Sequence, residues 1–254
     1  MEHYALPAQV YGAGLVFARV GALVMVLPGI GESFVPPRVR LAFAFVFSLM
    51  LYPVLAARLP AVPSQLGEAV GALLVELLIG LAMGALLRLF LMALAVAGEV
   101  VSLQTTLSFA QTTNPALAQP TSTLASFLGL LGLTLVFSAG LEQSFIAGIA
   151  HSYDVFAPAR GPAVGDLAAL MVRTFGQVFA LGVQLAAPVM VFGLLFNVGV
   201  GLVGRAMPQF QVFFAATPLA VLLGLSVFAL GLGVFGLVWV DRFRDFADRL
   251  AGLG

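Results

Sequence analysis

Long apolar runs separated by short polar or Gly/Pro-rich breaks organise this chain. They fall at Tyr11–Leu27, Leu41–Ala57, Ala69–Val101, Leu124–Ile149, Thr174–Val203 and Gln211–Val240. A membrane-crossing helix needs about 20 mostly apolar residues, so the pattern predicts six spans. The first contains Arg19, and the second sits between Arg40 and Arg58. The last two are long: neither Thr174–Gly204 nor Ala206–Val240 holds a charge. Pro188 interrupts one, Pro208 and Pro218 the other, which predicts broken or kinked helices. The breaks Pro28–Arg40, Arg58–Gly67 and Asp154–Asp166 are short. No repeat of the lengths typical of solenoids or propellers is visible. The expectation is an all-α polytopic membrane protein with a single integral-membrane domain, residues 1–254.

The pattern changes character at Gly98–Pro120, GEVVSLQTTLSFAQTTNPALAQP. Taken as a helix, Ala85–Thr106 places Arg88, Glu99, Ser102 and Thr106 on one stripe. The helix cannot run much further. Asn114 and Gln119 each precede a proline, which disfavours the α region, and Pro115 and Pro120 lack a backbone donor. A polar-striped helix therefore delivers an irregular, uncharged, hydroxyl- and amide-rich loop near membrane depth. Such backbone is tolerated only where protein buries it or it lines an aqueous cavity, which marks a pathway or a seal.

Composition sharpens the class. Hydrophobic residues make up 61% of the chain and charged residues 9%, and mean hydropathy is +1.11, far from the roughly 25% charged residues of a soluble domain. Eleven acidic residues balance eleven basic ones, every base an arginine, so net charge offers no attraction to nucleic acid. There is no cysteine, which excludes disulfides and thiolate chemistry. Residues 1–18 lack the basic n-region of a cleavable signal peptide, so the first apolar run is expected to stay as a span. With both termini cytoplasmic, Arg58, Arg160, Arg173, Arg242, Arg244 and Arg249 lie inside, against Arg38, Arg40 and Arg205 outside. The positive-inside rule favours that orientation.

Catalytic chemistry finds little support. The two histidines, His3 and His151, cannot make a multi-histidine metal site. His151 is read as an interfacial residue beside a Ser-Tyr-Asp loop, and no GxSxG elbow occurs. Gly231, Gly233 and Gly236 spell GxGxxG, but inside an apolar run with no preceding strand, so close helix packing explains them better than a dinucleotide. Gly80-x-x-x-Gly84 likewise predicts a helix–helix contact. No cofactor is expected. Arg19, Glu76, Arg88, Glu99 and Glu142 are the intramembrane ionisable groups, functional candidates because burying them is expensive, with internal ion pairing as the plain alternative. Twenty-two phenylalanines against one tryptophan and four tyrosines leave little material for interfacial aromatic belts, suggesting that much apolar surface meets protein.

Three stretches, in order, resemble one family. They are FARVGALVMVLPGIGESFVPPRVRLAFAF (Phe17–Phe45), GEVVSLQTTLSFAQTTNPA (Gly98–Ala116) and GLVGRAMPQFQVFFAATPLAVLLG (Gly201–Gly224). Together they are similar to the FliR/SctT family of type III export-gate membrane proteins. One departure is Gly140-Leu141, where the family often has Gly-His.

The resemblance implies a subunit of the export gate in the bacterial inner membrane at the flagellar basal body. There, kinked helical hairpins form a conical helical channel with FliP-like and FliQ-like subunits, beside FlhB-like and FlhA-like components, for unfolded export substrates. It also implies a plug loop, which by position is Leu107–Pro120. The pore and plug candidates are then Glu99, Ser102, Gln104, Thr106, Leu107, Ser108, Phe109, Gln111, Asn114 and Pro115. The candidates for partner contact are Arg19, Arg38, Arg40, Arg88, Arg205, Pro208 and Gln209. The competing readings are the SctT subunit of a virulence injectisome, a small secondary transporter using Glu99 and Arg88, and an intramembrane enzyme.

Overall fold

The computed structural model describes residues 5–107, 122–161, 164–207, 209, 211–250 and 252. Among them secondary structure is entirely helical: α1 (Ala5–Val26), α2 (Pro37–Leu55) followed by a 3-10 turn (Ala56–Arg58), α3 (Leu66–Gln104), α4 (Thr123–Ser138), α5 (Leu141–Val155), α6 (Val164–Ala206) and α7 (Val212–Leu250). Five of these are long and apolar enough to cross a membrane, or six if the bent pair α4 and α5 counts as one span. The break comes at Ala139–Gly140, where Gly140 takes the left-handed conformation (φ 70°) that glycine adopts without strain. Leu141 opens α5 as a buried apolar residue.

The elements start and stop for local reasons. Pro36 and Pro37 open α2, where a missing N–H costs nothing and φ is already helical. α3 stops at Gln104 and Thr106 turns left-handed (φ 57°), close to the expected end. Pro188 lies inside α6 and Pro218 inside α7, and neither breaks its helix. A proline forfeits one hydrogen bond, but within a long apolar helix neighbouring groups re-satisfy the freed carbonyl. The real interruption is at 207–211, between α6 and α7. Pro208 lies outside the described residues.

By contacts the chain forms two compact units. The first comprises Met1–Leu89, Gly140–Phe175 and Phe243–Gly254. Its core joins Leu15, Val16, Val20 and Leu23 of α1, Ile79 and Leu86 of α3, and Leu141, Phe145 and Ile149 of α5. Phe243 packs on Phe145 with centroids 5.6 Å apart. Gly80 and Gly84 face α1: a Cβ on Gly80 would run into the Arg19 carbonyl, and one on Gly84 would come 3.0 Å from the Leu23 carbonyl. The small-xxx-small spacing thus serves a contact within this chain.

The second unit comprises Phe90–Ala139 and Gly176–Arg242. Its buried interior holds Ala93, Leu94, Ala97 and Val101 of α3, Leu128 and Val136 of α4, Leu181 and Val189 of α6, and Trp239 of α7. The Trp239 indole N–H donates to the Phe90 carbonyl at 2.8 Å. Gly231, Gly233 and Gly236 sit in the middle of α7.

Candidate functional site

The polar stripe of α3 ends in a built anchor within the second unit. Ser122 is the N-cap of α4, its hydroxyl accepting from the Ala125 N–H at 3.1 Å. In a capping box the residue at that third position is Glu or Gln and reaches back to the N-cap N–H. Here it is alanine, and Glu99 of α3 takes the role instead, accepting from the Ser122 N–H at 2.6 Å. Gly98 explains why the position is small: a Cβ there would overlap the Ala125 backbone. The Gly98-Glu99 pair therefore fastens the start of α4 to the flank of α3. The helix N-terminus also favours the carboxylate electrostatically.

The other side of the loop is fixed too. Thr105 is fully buried and its hydroxyl donates to the Val101 carbonyl at 2.9 Å. Its methyl fills the space a side chain on Gly224 would need, and Gln104 does the same at Gly193. Glycines of α6 and α7 thus receive the end of α3. Ser102 Oγ and Thr106 Oγ1 are buried without a hydrogen-bond partner among the described residues. Leu107 is half-buried in the turn that follows. Ser108, Phe109, Gln111, Asn114 and Pro115 lie outside the described residues. Thr105 is packed at the end of α3 and Ser122 is capped at the start of α4. We expect Glu99→Ala to cost about 1–2 kcal/mol, read as earlier proteolysis in the 106–122 stretch, with Glu99→Gln recovering part. Unchanged proteolysis in Glu99→Ala would count against the anchor.

The partner-contact candidates divide. Arg38 is exposed in the first turn of α2, and Arg40 is half-buried with its Nε donating to the Val35 carbonyl at 3.1 Å. Arg88 pairs with Glu32 at 3.3 Å. Arg205 is exposed in the last turn of α6 and Gln209 is exposed in the turn after it. Arg19 stands apart, because it is fully buried and directed inward, unlike a surface contact.

Arg19 Nε donates to Glu76 Oε2 at 2.6 Å and Nη2 to Oε1 at 3.2 Å, with both side chains 0% exposed. The guanidinium also donates to the Ser152 carbonyl and hydroxyl and to the Phe156 carbonyl. Its carbon lies 4.0 Å from the centre of the Tyr153 ring. Glu76 Oε1 accepts the Ala159 N–H at 2.8 Å. This bidentate pair, with every acceptor used, is the geometry in which a buried ion pair is sustainable. It ties α1, α3 and the end of α5 together within the first unit. Ser152 and Tyr153 belong to α5 rather than to the loop expected around His151. Glu142 lies half-buried in the first turn of the same helix. Arg58 and His151 both face Asp154 near its end, the latter at 3.7 Å.

Long apolar helices and internally paired charges define a multi-pass all-α membrane protein. Residues 10–246 match the family described as bacterial export proteins, family 1. The chain is 52% identical to flagellar biosynthetic protein FliR of Caulobacter vibrioides, covering 98% of this chain and 99% of that one. It is 30% identical to FliR of Escherichia coli over 92% of this chain and 89% of the relative. With Yop proteins translocation protein T of Yersinia pestis it shares 30% identity over 81% and 79%. The chain belongs to bacterial export protein family 1.

Proposed function

We propose that this chain is a channel subunit of the flagellar type III export gate, working as one integral-membrane domain of the bacterial inner membrane. In this reading it assembles with FliP-like and FliQ-like subunits, beside FlhB-like and FlhA-like components, to pass unfolded export substrates. The observation that carries it is the 52% identity to a FliR over nearly the full length of both chains. The 30% identity to the Yersinia translocation protein supports the injectisome reading less strongly.

The lengths of the helices support an assembled state. Thr174–Gly204 of α6 carries no charge and at 1.5 Å per residue runs about 46 Å. Fitting that into a hydrocarbon core of about 30 Å needs a tilt near 50°, beyond the roughly 0–40° seen in spans. Protein must cover what lipid does not. Most of α2 and α7 also presents apolar side chains outward, including Phe45, Met50, Leu230 and Leu237.

The loop 107–120 is the plug in this proposal. An uncharged Ser/Thr/Gln/Asn surface forms hydrogen bonds when closed and exchanges them for water or substrate at small net cost. Deleting Leu107–Pro115 is expected to leave the gate assembled but leaky to ions. Wild-type membrane conductance in an assembled deletion variant would contradict the plug.

A further inference from the structure

The first unit contains a cavity of about 160 Å³ that shares Ser152 and Phe156 with the surroundings of the ion pair. Its floor is apolar: Ile79, Met83 and Leu86 of α3, with Leu167 and Leu170 of α6. Its rim is not. Arg249 in the last turn of α7 and His151 near the end of α5 also line it. Arg249 Nε donates to the Asp245 carbonyl, leaving its terminal nitrogens for another acceptor. The neighbouring carboxylates are engaged, Asp154 by Arg58 and Asp248 by the Ser144 hydroxyl at 2.7 Å.

The stretches that line the cavity differ in character. Asp241, Arg242, Arg244, Asp245, Asp248 and Arg249 make the end of α7 densely charged, which places it at the interface rather than in hydrocarbon. Ile79–Leu86 lies in the middle of an apolar span. A site that is cationic at the interface and apolar below it has the polarity profile of an anionic amphiphile. An apolar cavity of about 150 Å³ holds a benzene-sized group, so the space suits the end of one acyl chain. We propose that this cavity binds one acyl chain of an anionic phospholipid, with Arg249 holding its phosphate. The proposal is independent of the export reading.

The test is native mass spectrometry of the full chain in mild detergent, titrated separately with dioleoyl phosphatidylglycerol and dioleoyl phosphatidylcholine. We expect one phosphatidylglycerol to be retained preferentially. Arg249→Gln should cut that preference about fivefold, in line with one basic residue at an anionic headgroup. Ala82→Phe, which fills the floor, should abolish retention. Equal retention of the two lipids by the wild type would overturn the headgroup assignment, and unchanged retention by folded Ala82→Phe would overturn the cavity. If Ala82→Phe does not fold, photo-crosslinking of wild type with diazirine-acyl phosphatidylglycerol decides. Adducts within 79–86 and 151–156 support the site, and adducts confined to the exposed face of α2 overturn it.

Discussion

Replacing Glu76 by alanine is expected to destabilise the chain by about 3–5 kcal/mol, lowering its melting midpoint in detergent by about 10 °C. The variant would leave Arg19 with its charge intact and no carboxylate, at a position with no access to water. The carbonyls of Ser152 and Phe156 still accept from it but cannot neutralise it. The Ala159 N–H would also lose its acceptor. Much of that cost belongs to the stranded cation, so the double variant Arg19→Met/Glu76→Leu should recover a large share. The remaining deficit should be about 1–3 kcal/mol from the orphaned backbone groups. Thermal stability by size-exclusion after heating separates the cases. A neutral Glu76→Ala, or a double variant no better than the single, would show that the pair does not hold α1, α3 and α5 together.

Gly80→Leu should be the second severe change, and for a different reason. Its Cβ alone would overlap the Arg19 carbonyl and come 2.9 Å from Ala22 Cβ. The first contact is with backbone, which cannot rotate away, so α1 and α3 would have to separate. Gly80→Ala is expected to cost about 1–3 kcal/mol, and Gly80→Leu enough to reduce the yield of folded protein severely. The control is on the same helix: Gly71 has nothing within 4 Å, and Gly71→Leu should stay within about 0.5 kcal/mol of wild type. Equal losses at both positions would mean the effect is glycine-to-leucine chemistry rather than close approach. The two predictions converge, because the backbone that Gly80 lets near is that of the residue whose side chain Glu76 neutralises, one helical turn away.

The residues differ in how much of this they announce. Apolar runs marked the spans because hydrocarbon demands length, and α3 ends at Gln104, within two residues of the expected Thr106. Gly80-x-x-x-Gly84 announced a close contact but not its partner. The pairing of Arg19 with Glu76, Ser152 and Phe156 was not legible: it depends on the register of three helices far apart in sequence, and no local rule sets that. Ser152 and Tyr153 had read as loop because they are polar, yet they point into the chain from the end of α5. Glu99 read as a pathway residue for its charge and depth; that it also completes the cap of α4 from another helix was missed. The signal was available in Ser122 followed by an alanine at the third helical position, a capping box lacking its acid. Pro188 and Pro218 sit inside unbroken helices, because a proline's cost in an isolated helix overstates its effect in a long apolar one.

The central claim is that this chain acts as a subunit of an assembled export gate. The most direct measurement is to tag it, express it with its genomic neighbours, extract in mild detergent and weigh the product by native mass spectrometry. The account predicts a large hetero-oligomer containing FliP-like and FliQ-like chains. A lone chain or homodimer, folded and stable under the same conditions, would contradict it and favour a self-sufficient transporter.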